Sequence, residues 1–108
     1  MALYMSQFSY TTEAWQAMVK NPQDRSGVLR DQIEKLGGKL MGLYFSFGDY
    51  DGVAFYEYPG NIDCVAGVLA VVCGGHLKAV KTTVLMSAGE LVQAMKKAGG
   101  TVYPAPKG

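Results

Sequence analysis

The sequence predicts an α+β fold in which two strand–helix–strand units share one four-stranded antiparallel sheet. Three observations indicate it: runs that alternate as strands do, segments with an apolar stripe at helical spacing, and glycine pairs where helices should end. In chain order the elements read strand, helix, strand, strand, helix, strand, helix. The first six form the split βαβ, ferredoxin-like βαββαβ arrangement, and the last is an extra C-terminal helix.

The first half of the chain predicts a strand and an interrupted helix. Residues 2–9 alternate and are rich in Tyr, Met and Phe, as in a strand. Thr11 and Thr12 carry hydroxyls suited to capping a helix N-terminus. The pair Asn21-Pro22 interrupts the helix, because the residue before proline avoids the α conformation. A second helical segment, with its apolar stripe at Val28, Leu29, Ile33 and Leu36, ends at Gly37-Gly38.

A hairpin is predicted in the middle of the chain, with strands at 39–47 and 52–58 joined by Gly48-Asp49-Tyr50-Asp51. We pair Phe45 with Phe55 and Phe47 with Val53, and side chains then alternate between the two faces of the sheet. The face expected beneath the helices carries Met41, Leu43, Phe45, Phe47, Val53 and Phe55. The face expected to be open carries Leu40, Tyr44, Ser46, Ala54, Tyr56 and Tyr58.

The second half predicts helix, strand and helix. Residues 62–73 form a helix that is apolar almost all round, so we expect it to be buried on more than one side, with Asn61 as its cap. A fourth strand follows at 77–86. Ser87 and Glu90 form a capping box that opens the last helix, which reaches Ala98. We expect one domain over residues 1–100 and a tail over 101–108.

Composition excludes several classes of function. The net charge is +1 and the basic residues are dispersed, which disfavours nucleic-acid binding. Cys64 and Cys73 fall on opposite sides of one helix, so we expect free thiols in a reducing compartment and no internal disulfide. The N-terminal segment lacks the pattern of a signal peptide, and the longest apolar run is too short to span a bilayer. We predict a cytoplasmic protein with no membrane association, no metal and no cofactor.

The predicted open face indicates self-association. An aromatic sheet face left bare would be a large apolar patch, which soluble monomers rarely expose. Packing that face against the same face of a second copy covers it with two-fold symmetry. We therefore expect a homodimer or a higher homo-oligomer of the dimeric α+β barrel type.

The segment Phe47-Gly48-Asp49-Tyr50-Asp51-Gly52-Val53, with a strand ending in Glu57-Tyr58-Pro59, resembles the signature of the GYD-domain family. Gly37-Gly38-Lys39 before the second strand is also similar to that family, and the resemblance covers about residues 3–98. The helix after Pro59 is more apolar than is usual in the family. The resemblance implies the dimeric α+β barrel fold and no established reaction.

Three groups of polar residues are candidate sites. Asp49 and Tyr50 lie in the hairpin turn and His76 follows a helix. They are weak candidates for proton transfer, since turn chemistry and a capping or surface histidine are the favoured explanations. Phenols and hydroxyls lining a cleft could bind a small molecule, or could belong to an interface. This ligand-binding set is Tyr4, Ser6, Tyr44, Ser46 and Tyr56, with Tyr58 beside it. Arg25 and Arg30 could meet an anionic ligand, although arginines on a helix are usually solvated.

The sequence thus favours a small homo-oligomerising domain that holds a small molecule in a cleft beside the sheet. One alternative is a cofactor-independent enzyme similar to the monooxygenases and isomerases that share dimeric barrels. The other is a scaffold or regulatory subunit. A catalytic site requires His76 or an aspartate to lie within hydrogen-bonding reach of a tyrosine.

Overall fold

The computed structural model describes residues 1–107 and contains the predicted elements in the predicted order. Their bounds are β1 Ala2–Tyr10, α1 Thr12–Lys20, α2 Ser26–Lys35, β2 Lys39–Phe45, β3 Gly52–Tyr58, α3 Asn61–Cys73, β4 Leu77–Leu85 and α4 Ala88–Gly99. All neighbouring strands are antiparallel, and their order across the sheet is β2-β3-β1-β4. This is the ferredoxin-like α+β arrangement with an extra C-terminal helix, as predicted.

Local signals fixed most helix ends as expected. The Thr11 hydroxyl accepts a hydrogen bond from the Ala14 amide at 3.1 Å and caps α1. Ser87 and Glu90 form the predicted capping box at the start of α4. Asn61 was expected to cap α3, but Gly60 occupies the cap position. The Asn61 side chain instead accepts a hydrogen bond from the Tyr4 hydroxyl at 2.7 Å.

The predicted hairpin register is wrong, and with it the assignment of the two faces of β3. Phe45 pairs with Gly52 and Tyr44 with Val53, so the strands lie three positions away from the expected pairing. An odd shift moves every side chain of a strand to the other face. A loop at residues 46–51 closes the hairpin, where the Ser46 amide donates to the Asp51 carbonyl at 2.9 Å. A register irregularity between Leu40 and Gly42 also breaks the alternation along β2.

The tyrosine-rich face therefore lies beneath α2 and α3, not in the open. We call it the covered face; its residues are Tyr4, Ser6, Phe8, Tyr10, Leu40, Leu43, Ala54, Tyr56 and Tyr58. Ile33 of α2 and Cys64 of α3 are buried against it. The opposite side, which we call the open face, carries Leu3, Met5, Gln7, Lys39, Tyr44, Val53, Phe55, Glu57, Lys81, Thr83 and Leu85. Phe47 belongs to neither face, since it is fully exposed in the hairpin loop.

Two helices leave apolar surface bare. Along α3 only Cys64 and Gly67 are buried, so the expectation that this helix is buried on more than one side is wrong for the single chain. Its outward stripe is exposed and consists of Ile62, Val65, Leu69 and Val72. No residue of α4 is buried, and the exposed stripe of that helix consists of Leu91, Val92 and Met95.

Candidate functional site

A cavity of about 290 Å³ lies between the covered face of the sheet and the helices α2 and α3. The sheet contributes its floor, mostly from β1 and β3. The helices contribute apolar walls, including Ile33 from α2 and Val68 from α3. The remaining lining is Ser6, Phe8, Tyr10, Arg25, Val28, Leu29, Gln32, Leu43, Ala54, Tyr56, Tyr58, Gly67, Ala70, Val71, Gly74, His76, Leu77 and Val80.

A chain of hydroxyl groups crosses the floor of the cavity. The Ser6 hydroxyl lies 2.5 Å from that of Tyr56 and 2.8 Å from that of Thr82. The Tyr56 hydroxyl also lies 3.7 Å from the Cys64 sulfur. We call Ser6, Tyr56, Thr82 and Cys64 the hydroxyl chain, although Cys64 contributes a thiol. Two of its members, Ser6 and Tyr56, line the cavity directly and could hydrogen-bond a bound molecule.

The members of the hydroxyl chain are neutral at physiological pH. Burial raises the pKa of Tyr56 to about 12, against a smaller lowering by the Ser6 hydrogen bond. Burial also raises the pKa of the Cys64 thiol, although its hydrogen bond with Tyr56 partly opposes this rise. A phenol with so high a pKa donates or accepts hydrogen bonds but is a poor general base near pH 7. The floor is therefore suited to binding a neutral polar group.

Stacked tyrosines hold the floor in place. Tyr4 stacks on Tyr56 with ring centroids 5.8 Å apart, and Tyr58 meets Tyr56 edge-on at 5.4 Å. Tyr4 and Tyr58 are almost completely buried, and burial raises the pKa of both phenols. Such aromatic contacts contribute beyond the area they bury, and each ring restricts its neighbour. Tyr56 is thus presented to the cavity in one orientation.

One end of the cavity is marked by Arg25, His76 and Tyr10, where β1 ends and β4 begins. Arg25 and His76 are exposed, whereas Tyr10 is half-buried. Burial raises the pKa of Tyr10, the positive charge of Arg25 lowers it, and the Asp51 carboxylate raises it. Arg25 therefore lies within electrostatic reach of a cavity side chain.

Asp51 ties this end of the sheet together. One oxygen of its carboxylate accepts hydrogen bonds from the Tyr10 amide at 2.9 Å and from the Trp15 indole at 3.1 Å. The Asp51 amide in turn donates to the Phe8 carbonyl at 2.8 Å. The hairpin turn is thereby fixed to β1 and to α1. From the sequence, Asp51 was expected to act only within the hairpin turn. Its hydrogen bonds to residues of β1 and α1 could not be predicted from the neighbouring residues.

The weak catalytic candidates do not form a proton-transfer pair. Asp49 is exposed, and its carbonyl, not its carboxylate, accepts a 3.5 Å hydrogen bond from Ser9. The Tyr50 carbonyl accepts from the Ser46 hydroxyl at 2.9 Å. Within residues 1–107, no hydrogen bond joins the side chains of Asp49, Tyr50 and His76. His76 alone of the three lines the cavity.

Only part of the ligand-binding set predicted from the sequence lies at the cavity. Ser6 and Tyr56 line the cavity, and Tyr4 packs directly behind Tyr56. Tyr44 packs on Phe55 at the open face, and Ser46 bonds within the hairpin loop, so neither borders the cavity. Sequence reasoning missed Phe8 and Tyr10. The alternation of β1, which places them on the same face as Tyr4 and Ser6, was the available signal.

Disulfides, metal-binding clusters and membrane-spanning helices are absent from the part of the chain that the structure describes. Both cysteines are free thiols: Cys64 is buried, as expected for a core residue, whereas Cys73 is exposed. Residues 1–107 contain no group of three or more His, Cys, Asp or Glu side chains placed to hold a metal ion. Nor does any helix in that range have the length and apolar character needed to cross a membrane.

The sequence model of the GYD domain matches residues 4–100. Among solved structures, MtbAldR is similar with a TM-score of 0.55 and 16% identity over 80% of this chain, which spans about half (52%) of the length of that protein. Protein Atu4242 from Agrobacterium tumefaciens has a TM-score of 0.50 and 16% identity, over 82% of this chain and 94% of its own.

An uncharacterized NIPSNAP domain protein from Burkholderia xenovorans is also similar, with a TM-score of 0.47 and 17% identity over 82% of this chain and 95% of its own. At these identities the solved structures bear on the fold alone. No curated protein matches the chain at a significant level.

Proposed function

This chain belongs to the GYD-domain family, and we propose that it is a homo-oligomerising domain that binds a small molecule in the cavity between its sheet and helices. The observation that carries the binding proposal is the cavity itself, with the Ser6 and Tyr56 hydroxyls on an otherwise apolar floor. Ligand sites are typically concave and apolar with a few placed polar groups. The raised pKa of Tyr56 favours binding of a neutral polar group over proton abstraction.

The binding proposal is tested by narrowing the cavity. Ala70 and Ala66 lie on the same helix and both are exposed, but only Ala70 borders the cavity. Native mass spectrometry first detects a ligand that co-purifies with the wild-type protein. We expect the Ala70→Phe variant to lack this ligand and the Ala66→Phe variant to retain it. Retention of the same ligand by Ala70→Phe would place the binding site elsewhere. If the wild type carries no ligand, the probe titrations described below give the same test.

Self-association is supported by three surfaces of the single chain that carry apolar side chains, exposed on the two helices and half-buried on the sheet. They are the open face of the sheet, the outward stripe of α3 and the stripe of α4. The tyrosine-rich face that first indicated a dimer is occupied by helices. The supporting surface is now the open face, centred on Met5 and Phe55. Exposed apolar areas of this extent are typical of interaction surfaces.

The oligomer proposal is tested by placing a charge at the centre of the open face. We expect Phe55→Lys to shift the protein to a monomer in size-exclusion chromatography with light scattering, because burying the ammonium group in an apolar interface is costly. Gln16→Lys adds the same charge on the exposed side of α1 and should leave the mass unchanged. A wild-type protein that is monomeric at micromolar concentrations would contradict the proposal.

A further inference from the structure

The cavity has room for an apolar body larger than a single benzene ring. Its volume of about 290 Å³ is nearly twice the ~150 Å³ of an apolar protein cavity that accommodates benzene. Most of its lining is aliphatic or aromatic, contributed by the sheet, by α2 and by α3. A bicyclic aromatic group or an aliphatic body of similar size would fill it.

The charge of the lining has one sign. The chain has ten Lys and Arg residues and nine Asp and Glu residues, yet among the residues that line the cavity Arg25 is the sole member of either group. His76, the single histidine, stands at the same end and adds a further hydrogen-bonding group. An anion would meet the positive charge of Arg25 there. The Asp51 carboxylate, which also acts on Tyr10, does not line the cavity and accepts hydrogen bonds from the Tyr10 amide and the Trp15 indole.

The donors of Arg25 are largely free for such a ligand. The Arg25 guanidinium donates a long 3.4 Å hydrogen bond to the Gln23 side chain, which engages one of its several N–H groups. The neighbouring acid, Asp24, turns its carboxylate to the Ser26 amide at 2.8 Å. A guanidinium presents its donors as a planar fork, which matches the two oxygens of a carboxylate.

Arg25 and the hydroxyl chain lie at different parts of the cavity. Tyr10, which senses the charge of Arg25, follows Ser6 by four positions along β1, or roughly 13 Å in a strand. A ligand anchored at Arg25 would extend along β1 towards Ser6 and Tyr56. Its charged end would then sit at the solvent side and its apolar body inside.

We propose that the ligand of this cavity is an apolar or aromatic carboxylic acid, bound as its anion with the carboxylate at Arg25. The inference rests on the proposed small-molecule function and narrows it to a chemical class. In this proposal Arg25 determines the charge of the ligand that binds, and the apolar walls determine its size.

Three probes of one shape and different charge test the inference: 1-naphthaleneacetate, its neutral amide, and the cation 2-(1-naphthyl)ethylammonium. Binding is followed by NMR chemical-shift changes during titration, which also locate the site. We expect the acid to bind about ten-fold or more tightly than the amide, as for a charge-assisted hydrogen bond. We expect the cation to bind more weakly than the amide.

Matched arginine variants complete the test. Arg25→Gln should reduce the preference for acid over amide to about one while leaving the amide affinity unchanged. Arg30→Gln removes the same charge from α2, the helix that Arg25 directly precedes, away from the cavity lining, and should retain the preference. Equal affinities for acid and amide in the wild type, or a preference that survives in Arg25→Gln, would overturn the carboxylate inference but not the binding function. Failure of all three probes to bind would overturn both.

Discussion

The two faces of the sheet are made from alternate residues of the same strands, yet they differ in chemistry and in surroundings. The covered face is rich in tyrosine and serine and lies beneath α2 and α3, where its hydroxyls pair with one another. The open face combines Leu, Met, Val and Phe with the charged residues Lys39, Glu57 and Lys81, and in the single chain it is covered by no helix of the core cluster. The covered face thus buries neutral hydroxyl groups, whereas these three charged side chains lie on the open face.

The covered face shows that hydroxyl groups can be buried in a core when they hydrogen-bond to one another. A buried hydroxyl is tolerated when it has a partner, and within residues 1–107 no buried side-chain nitrogen or oxygen lacks one. A cavity with placed polar groups lies on the covered face. The association surface that we propose lies on the open face, around Met5 and Phe55.

The largest expected effect compares truncations on the two faces. Tyr58→Ala should lower the free energy of unfolding by about 3–5 kcal/mol, because Tyr58 is 2% exposed and its removal leaves a hole in the core. Phe55→Ala on the open face should cost about 1–2 kcal/mol, since its ring is only half-buried. Urea denaturation measures both. Equal losses would contradict the assignment of the core to one face.

The Phe55→Ala variant also reports on association. If a second copy covers the open face, the stability difference between wild type and this variant should increase with protein concentration, because association stabilises the wild type by mass action. The difference for Tyr58→Ala should depend on concentration much less.

A second prediction concerns the packing of α3 on the covered face. A Cβ atom at Gly67 would overlap the Tyr58 hydroxyl, and the buried Tyr58 ring has little room to yield. We expect Gly67→Ala to destabilise by about 1–3 kcal/mol, despite the better helix propensity of alanine. Gly27→Ala in α2 meets no atom and should stabilise by about 0.5–1 kcal/mol. Thermal denaturation measures whether each variant is more or less stable than the wild type. A stabilised Gly67→Ala variant would show that α3 does not pack closely on the sheet.

A third prediction concerns the hairpin loop, whose register decides which residues belong to each face. Asp51→Ala removes the acceptor of the Tyr10 and Trp15 hydrogen bonds and should cost about 1–3 kcal/mol. Asp49→Ala, two residues earlier, removes an exposed carboxylate and should change stability by less than about 0.5 kcal/mol. Trp15 fluorescence during urea unfolding follows both variants. Equal stabilities of the two variants would contradict the role of Asp51.

The smallest expected effect is a pH dependence at alkaline pH. Of the seven tyrosines, Tyr4, Tyr10, Tyr56 and Tyr58 have raised pKa values in the folded chain. Since Tyr56 ionises near pH 10 when unfolded and near 12 when folded, its contribution to stability is complete below pH 10 and is lost as the pH rises towards 12. Tyr56→Phe should remove one late-ionising phenol from the tyrosinate absorbance titration and reduce this loss. An unchanged titration would show that Tyr56 is solvated.

Local sequence signals were sufficient for the element order, most boundaries and several caps. The Thr11 cap, the Ser87 capping box and the break at Asn21-Pro22 depend on residues close in the chain, and each appears where predicted. The match of residues 4–100 to the GYD domain likewise follows from the sequence. Ser6 and Tyr56, the two hydrogen-bonded hydroxyls of the cavity floor, were also among the candidate ligand-binding residues identified from the sequence.

The tertiary structure alone decided which way the strands face. The pairing of Phe45 with Gly52 depends on a six-residue loop held by Asp51 to β1 and α1, and on the irregularity near Gly42. Neither is encoded in the alternation of one strand, since shifting the register by one or three positions preserves that alternation while exchanging its faces. The sequence by itself thus determined that Tyr56 and Tyr58 share one side of the sheet, whereas the register of the folded chain placed that side inside, where it lines a cavity, and placed Tyr44 on the opposite side.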